Sequence, residues 1–250
     1  MKLNRANLII MLSIFFMYPS YAVQPKINWY TEDYPPFNYM HEGQIEGISI
    51  KVLRAMYEKL DWTFDEADIL LMPWARVYKT LEDSPNACVF SITFTEERAR
   101  QFNFIGPMIQ NTVSLIGHKE SDYSDVDLKN IPGLKVGVVK NDIGHQLLVK
   151  EGFHEYQFVY LKTGYELVRM LKLKRVDLIA YGDVIARFQF SRAHIDSNNY
   201  KIIAPLYQSF LGMACNKAVD GEVIKTLNQT LVEVLKVHPS LATWNEESVQ

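Results

Sequence analysis

Between positions 91 and 98 the chain reads Ser91-Ile92-Thr93-Phe94-Thr95-Glu96-Glu97-Arg98. Ser91 and Thr93 stand two apart at the end of an apolar run, so strand alternation puts both hydroxyls on one face. Thr95 is placed to cap a helix, and Arg98, three residues on, reaches back over that helix start. A planar guanidinium, two hydroxyls and free backbone N–H groups together suit a carboxylate. The plainer reading is a surface arginine paired with Glu96 or Glu97. A second segment, Thr31-Glu32-Asp33-Tyr34-Pro35-Pro36-Phe37, uses its prolines to fix an extended turn that presents Tyr34 and Phe37 together. That turn is either a packed loop or an aromatic wall for a small ligand. In a third, Pro73-Trp74-Ala75-Arg76, Trp74 opens a helix and either fills a core or stacks on a ligand ring or cation.

Catalytic and metal signatures do not accompany these residues. The chain has no G-x-S-x-G, H-E-x-x-H, C-x-x-C or G-x-x-x-x-G-K-[ST]. Its six histidines, at 41, 118, 145, 154, 194 and 238, never stand three or four apart, so no metal site is expected. No cofactor is expected either, and a binding protein outranks a hydrolase. With 26 basic and 29 acidic side chains the formal charge is −3, a poor match for a phosphate backbone, which argues against a nucleic-acid partner.

The elements that must hold the three segments follow from periodicity. The 250 residues are 48% hydrophobic, enough for a large core and too apolar for disorder. Lys2 and Arg5 precede an apolar run at 8–18, and Pro19-Ser20-Tyr21-Ala22 ends in a small-x-small pattern. The run is about eleven residues, short of the roughly 20 that span a bilayer, so 1–22 reads as a signal peptide cleaved after Ala22. Export permits a bridge between Cys88 and Cys215, although both read as buried strand residues in which free cysteine is a small hydrophobe.

Strands are expected at 26–30, 88–92, 113–117, 135–139, 158–161, 176–181, 201–204 and 210–215. Helices are expected at 47–60, from Pro73, and at 143–151, 165–174, 184–190 and 223–237. This alternation predicts an α/β fold with mostly parallel sheets, and a polar stretch at 119–129 followed by Pro132-Gly133 suggests two lobes.

The segments occur together and in order, and the chain resembles bacterial periplasmic solute-binding proteins of family 3, the polar amino acid type. The resemblance is carried by Tyr34-Pro35-Pro36-Phe37, Gly43 with Gly47-Ile48, Ser91-x-Thr93-x-Thr95-Glu96-x-Arg98 and Phe104-x-Gly106-Pro107. Lys135-Val136-Gly137-Val138, Leu171 through Arg175-Val176-Asp177, and the stretch 212–217 extend it across the chain. It implies a type II periplasmic-binding fold: two mixed, mostly parallel sheets flanked by helices and joined by two crossing segments. Lobe one is then 23–112 plus 213–250, and lobe two 113–212.

On that resemblance Arg98 holds a ligand carboxylate, Ser91 and Thr93 are its polar neighbours, and Tyr34, Phe37 and Trp74 form the wall. Two positions depart from the family pattern. Asn141-Asp142-Ile143-Gly144 stands where a Gly-Thr-type loop grips the carboxylate, which puts Asp142 there. The amine-binding acid falls nearest Asp183, one residue further from Asp177 than the pattern has it. The implied function is capture of a small polar, carboxylate-bearing solute in the periplasm by a monomer, for the inner-membrane permease of an ABC transporter. The alternatives are a ligand-sensing binding protein and a secreted dehydratase-type enzyme recruiting Asp142 or Asp183.

Overall fold

The computed structural model describes residues 24–123 and 126–242; the expected signal peptide, 1–22, lies outside the described residues. The chain starts with β1 (Asn28–Thr31), whose end leads into the proline turn, and a small hairpin, β2 (Tyr39–His41) and β3 (Gln44–Glu46). α1 (Ile48–Lys59) follows, then β4 (Leu70–Leu71), α2 (Trp74–Asp83), β5 (Ala87–Thr93) and the single-turn-plus α3 (Glu96–Gln101). α2 starts after Pro73, whose fixed φ suits a helix start, and buries Trp74, Val77, Tyr78 and Leu81 as the spacing predicts.

A 17-residue strand, β6 (Phe102–His118), carries the chain away from this first group. The second group comprises β7 (Val136–Val139), α4 (Ile143–Lys150), β8 (Phe158–Leu161), α5 (Gly164–Lys172), β9 (Leu178–Gly182) and α6 (Asp183–Arg192). A second 17-residue strand, β10 (Tyr200–Asn216), returns to the first group, and α7 (Gly221–Val237) packs against β6 and α1. The strand order is β4-β1-β5-β10-β6-β9-β7-β8. Pairs within each group, β1 with β4 and β5, and β7 with β8 and β9, are parallel; the pairs involving β6 and β10 are antiparallel.

The expected α/β architecture is thus present, with one change in how its parts join. The two sheets are hydrogen-bonded into one, because the crossing segments are themselves strands that pair along their whole length. The expectation of separate strands at 201–204 and 210–215 missed this continuity. Pro205 lies between them, where β10 slips register before Tyr207, and a bulge is where a sheet accepts proline. β10 borders β5 only from Leu211 to Cys215, and β6 borders β9 only from Val113 to Gly117. Between those limits neither long strand has a third strand as a ladder partner, although the Phe210 carbonyl accepts from Phe94 N at 2.9 Å and Ser209 donates to the Phe94 carbonyl at 3.0 Å.

Cys88 and Cys215 face each other directly in the β5–β10 register and form a disulfide. Whether the two are bridged was open from the sequence: both are buried strand residues as expected, and register opposes them. The bridge closes a loop of sequence separation 127, tying the returning strand to the first group. Replacing both cysteines by alanine is expected to lower the unfolding free energy by about 2–4 kcal/mol, read from urea denaturation of the oxidised parent and the variant. An unchanged midpoint would show that the bridge adds nothing to stability.

Candidate functional site

β1, β5 and the start of α2 end on the same edge of the first strand group, and the starts of α4 and α6 in the second group meet them there. The turn after β1 is built on the N-terminus of α1. The α1 cap makes no side-chain bond; instead the Pro36 and Phe37 carbonyls accept from Ile48 N and Ser49 N at 3.1 and 2.9 Å. Gly47, at φ 126°, allows this approach, since a Cβ there would stand 2.2 Å from the Phe37 carbonyl oxygen. Tyr34 and Phe37 are fully buried by the arrangement, as the aromatic pair of a wall requires.

Ser91 departs from its expected role. It is the unpaired residue of a β-bulge, because Ile92 pairs with Gly212 and Phe90 with Met213, and its φ is 61°. The bulge resets the alternation that put Ser91 and Thr93 on one face. The Ser91 hydroxyl donates to Asn38 Oδ1 and lies 2.7 Å from the Ser49 hydroxyl, so it fastens the proline turn to α1 and β5. Thr93 accepts from Asn111 Nδ2 at 3.2 Å, which links β5 to the middle of β6.

Arg98 is 1% exposed, which excludes the surface pairing with Glu96 or Glu97. Thr95 caps α3 by accepting from Arg98 N at 3.1 Å. The guanidinium donates Nη1 to the Thr93 carbonyl at 3.0 Å, while Nε and Nη2 are buried without a partner. Its central carbon Cζ lies 5.5 Å from the ring centroids of both Trp74 and Tyr78, one helical turn apart on α2. The cation that Trp74 meets is therefore the protein's own. The indole N–H donates to the Asn141 carbonyl at 3.0 Å, a direct tie between the two strand groups.

Asp142 caps α4, accepting from Ile143 N at 2.7 Å, and is 6% exposed. It acts electrostatically on Arg98. Burial pulls the Arg98 guanidinium down, and Asp142 opposes that shift. Burial also raises the Asp142 carboxyl, against the pull of Arg98 and the Ile143 N–H.

Asp183 is not part of this constellation. It opens α6 half-buried, is raised by burial and lowered by Ser114 and Arg187, and lines a surface cavity with Lys119, Arg187 and Lys201. The position facing Tyr34 and Asn111 is Gly182, since a Cβ there would lie 3.2 Å from the Tyr34 hydroxyl and 3.0 Å from Asn111 Oδ1. The extra residue between Asp177 and Asp183 moves the carboxylate round the helix start and out of the cleft.

Sequence reasoning passed over Glu32, Asn111 and Tyr181. Glu32, one residue beyond β1, is 8% exposed, and burial together with Asp142 and Asp33 holds its carboxyl well above the usual range. Tyr181, on β9, meets Tyr34 edge-on at 5.6 Å. A run of polar side chains at a strand's end is a signal for Glu32; nothing local distinguishes Asn111 or Tyr181. At the rim, Arg192 of α6 pairs with Asp33 at 2.7 Å and Phe188 meets Tyr39 at 5.7 Å. The groups are closed on one another around a core of mixed charge.

A family profile, bacterial extracellular solute-binding proteins, family 3, matches residues 27–238. The chain is similar to the arginine-binding extracellular protein ArtP of Bacillus subtilis (strain 168), 23% identical over 205 residues, 81% of this chain and 77% of that one. Among solved structures it is similar to a histidine kinase sensor domain with similarity to periplasmic binding proteins, TM-score 0.73 and 20% identity, covering 86% of this chain and 92% of that one. A mutant of ArgBP from T. maritima gives TM-score 0.70 and 21% identity over 85% and 90%. These likenesses identify the fold as that of two-lobed periplasmic binding proteins. Among the described residues no helix is long and apolar enough to cross a membrane.

The proline turn depends on Gly47 in a way that can be measured. Gly47→Ala combines a positive φ with a 2.2 Å approach to backbone, and neither contact can move without lifting the turn off α1. A loss of more than about 2 kcal/mol in unfolding free energy is expected, by chemical denaturation. Stability equal to the parent would contradict the close docking of turn and helix.

Proposed function

The chain belongs to the bacterial extracellular solute-binding proteins, family 3, and from that premise we propose that it captures a small, carboxylate-bearing amino acid in the periplasm and delivers it to the permease of an ABC transporter. Members of this family bind solutes rather than transform them, which favours capture over the dehydratase alternative. The carrying observation is the Nε–Nη2 edge of Arg98, buried and unpartnered. Those two N–H groups form the planar fork that a carboxylate fills bidentately, and burial makes an empty fork costly.

In this reading lobe one is 23–112 with 213–250 and lobe two is 113–212. The stretch in which β6 and β10 have only each other as ladder partners is the hinge. Trp74 and Tyr78 line one side of the guanidinium while Thr93 anchors its far corner, so the fork is aimed before the solute arrives. Tyr34 and Phe37 wall the site, and Asp142 closes it from lobe two. The arginine that gives ArtP its name is a fitting solute. A sensory role is the second reading, favoured by the likeness to a histidine kinase sensor domain.

Arg98→Ala is expected to weaken solute binding about 30-fold or more in calorimetry, the usual effect of leaving one partner of a desolvated charge pair alone. Arg98→Lys keeps the charge but loses the fork, and binds weakly as well. The solute is first found by a thermal-shift screen of the twenty amino acids, where saturation at 100 times the dissociation constant stabilises by about 2.7 kcal/mol. Affinity of Arg98→Ala within about threefold of the parent would remove the carboxylate assignment.

A further inference from the structure

Behind the indole bond that joins the strand groups stands a histidine whose protonation state the backbone dictates. Asn141 N–H donates to His145 Nδ1 at 3.3 Å, at the start of α4. A backbone N–H can only donate, so Nδ1 is bare and the ring carries its proton on Nε2. The Tyr160 hydroxyl lies 3.0 Å from Nε2 and 2.9 and 3.0 Å from the two Glu155 carboxylate oxygens. A carboxylate only accepts, so the hydroxyl donates to Glu155 and receives the Nε2 proton. Burial and Glu155 push the Tyr160 hydroxyl up to about 12, which keeps its own proton in place. Every link from Asn141 through His145 and Tyr160 to Glu155 runs in one direction, and the ring is neutral.

Asn141 is also the residue through which lobe two holds Trp74. Its carbonyl accepts the indole N–H at 3.0 Å, and its φ of 62° is the left-handed conformation that asparagine tolerates. One residue is thus held at its N–H by lobe two and at its carbonyl by lobe one. A proton on Nδ1 sets two donors against each other across that 3.3 Å. Turning the ring over gives no relief, because both nitrogens of the cation carry protons. Asn141 then has to move, and the carbonyl that Trp74 uses moves with it.

The titratable and charged groups facing the ring are Tyr160, Glu155 and Lys140, while Phe158 adds an edge-on ring at 5.1 Å and no charge. Burial pushes the half-buried imidazole down, Glu155 opposes this and Lys140 adds to it. The closed protein therefore prefers the neutral ring. An imidazole released from Asn141 and its cover returns toward the ordinary value of about 6.5. Linkage gives the sign: the closed form keeps its full stability above that value and loses it as the pH falls through it.

We propose that His145 is a positioning residue for lobe closure. Neutral, it holds Asn141 for Trp74; protonated, it loosens that tie, so the cleft opens more readily in acid. This rests on the reading that the lobes separate about β6 and β10, and it holds whichever solute is bound.

The test is nuclear magnetic resonance of the mature chain without solute. Long-range proton–nitrogen spectra at about pH 8 are expected to show His145 protonated on Nε2 and bare on Nδ1. The Trp74 indole resonance, assigned by its loss in Trp74→Phe, reports on the tie. His145→Asn carries a non-titrating acceptor near the position of Nδ1, so the solvent-exchange rate of the indole N–H in the parent is divided by that in this variant at each pH. The division cancels intrinsic exchange chemistry and the titration of Glu32 and Asp142. The ratio is expected to rise by about threefold or more from about pH 8 to about pH 5. Should His145→Asn not fold, the parent alone decides: the Trp74 indole resonance must shift with the same midpoint as the His145 ring. A proton on Nδ1 at the higher pH, a flat ratio or separate midpoints overturn the inference and leave the hinge untouched. X-ray scattering over the same range tests the hinge itself. A radius of gyration that grows with the ratio supports both; one that stays constant while the ratio rises overturns the control of closure, and leaves His145 acting on the indole bond alone.

Discussion

A guanidinium removed from water with half its donors unused is the constraint around which the site is arranged. Arg98 is almost wholly inside the protein, yet it has one carbonyl to bond to, two aromatic rings nearby and the field of Asp142. Cation–π contacts stabilise a desolvated guanidinium by on the order of 2 kcal/mol for each good one and do not replace hydrogen bonds at its edge. The remainder of the cost is the driving force available to an anion that fits the fork. Burial that weakens the folded protein is thereby converted into affinity.

The same residue connects the site to the crossing strands. Thr93 receives Arg98 through its carbonyl and Asn111 through its hydroxyl, so the guanidinium, the tip of β5 and the middle of β6 are held in one hydrogen-bonded chain. Trp74 packs on the guanidinium and bonds to Asn141 in the other strand group. Further contacts between the groups, Arg192 with Asp33 and Phe188 with Tyr39, lie at the rim and touch none of this. The exposed rim ion pair contributes little by itself. The contacts that hold the lobes closed therefore centre on residues that also surround the fork, and this is the geometry that a solute-dependent hinge needs.

Much of this was legible in the sequence, for identifiable reasons. Helical spacing located α1, α2 and α7, and the four buried residues of α2 are those its periodicity named. Arg98, Tyr34, Phe37 and Thr93 drew attention because each stands where a strand ends or a helix begins, where ligand sites in open α/β sheets gather, and Asp142 came from the resemblance. What escaped depended on register. The bulge at Ser91 turns a strand residue into a latch, and its cause is the pairing of Ile92 and Phe90 with Gly212 and Met213, more than a hundred residues away. The Cys88–Cys215 bridge is settled by the same pairing. β6 and β10 were broken in the reading by proline, glycine and polar residues that sit at bulges or in the hinge. Asp183 was carried to the cleft by resemblance, and one inserted residue was enough to turn it away.

The most direct measurement is a crystal structure of the mature protein with its screened solute bound. The solute carboxylate is expected against Nε and Nη2 of Arg98, beside Trp74 and Tyr78, with the lobes closed over it. A bound solute that leaves the Arg98 fork empty, or fills it with Asp142 while its own carboxylate lies elsewhere, would contradict the proposed chemistry of the site.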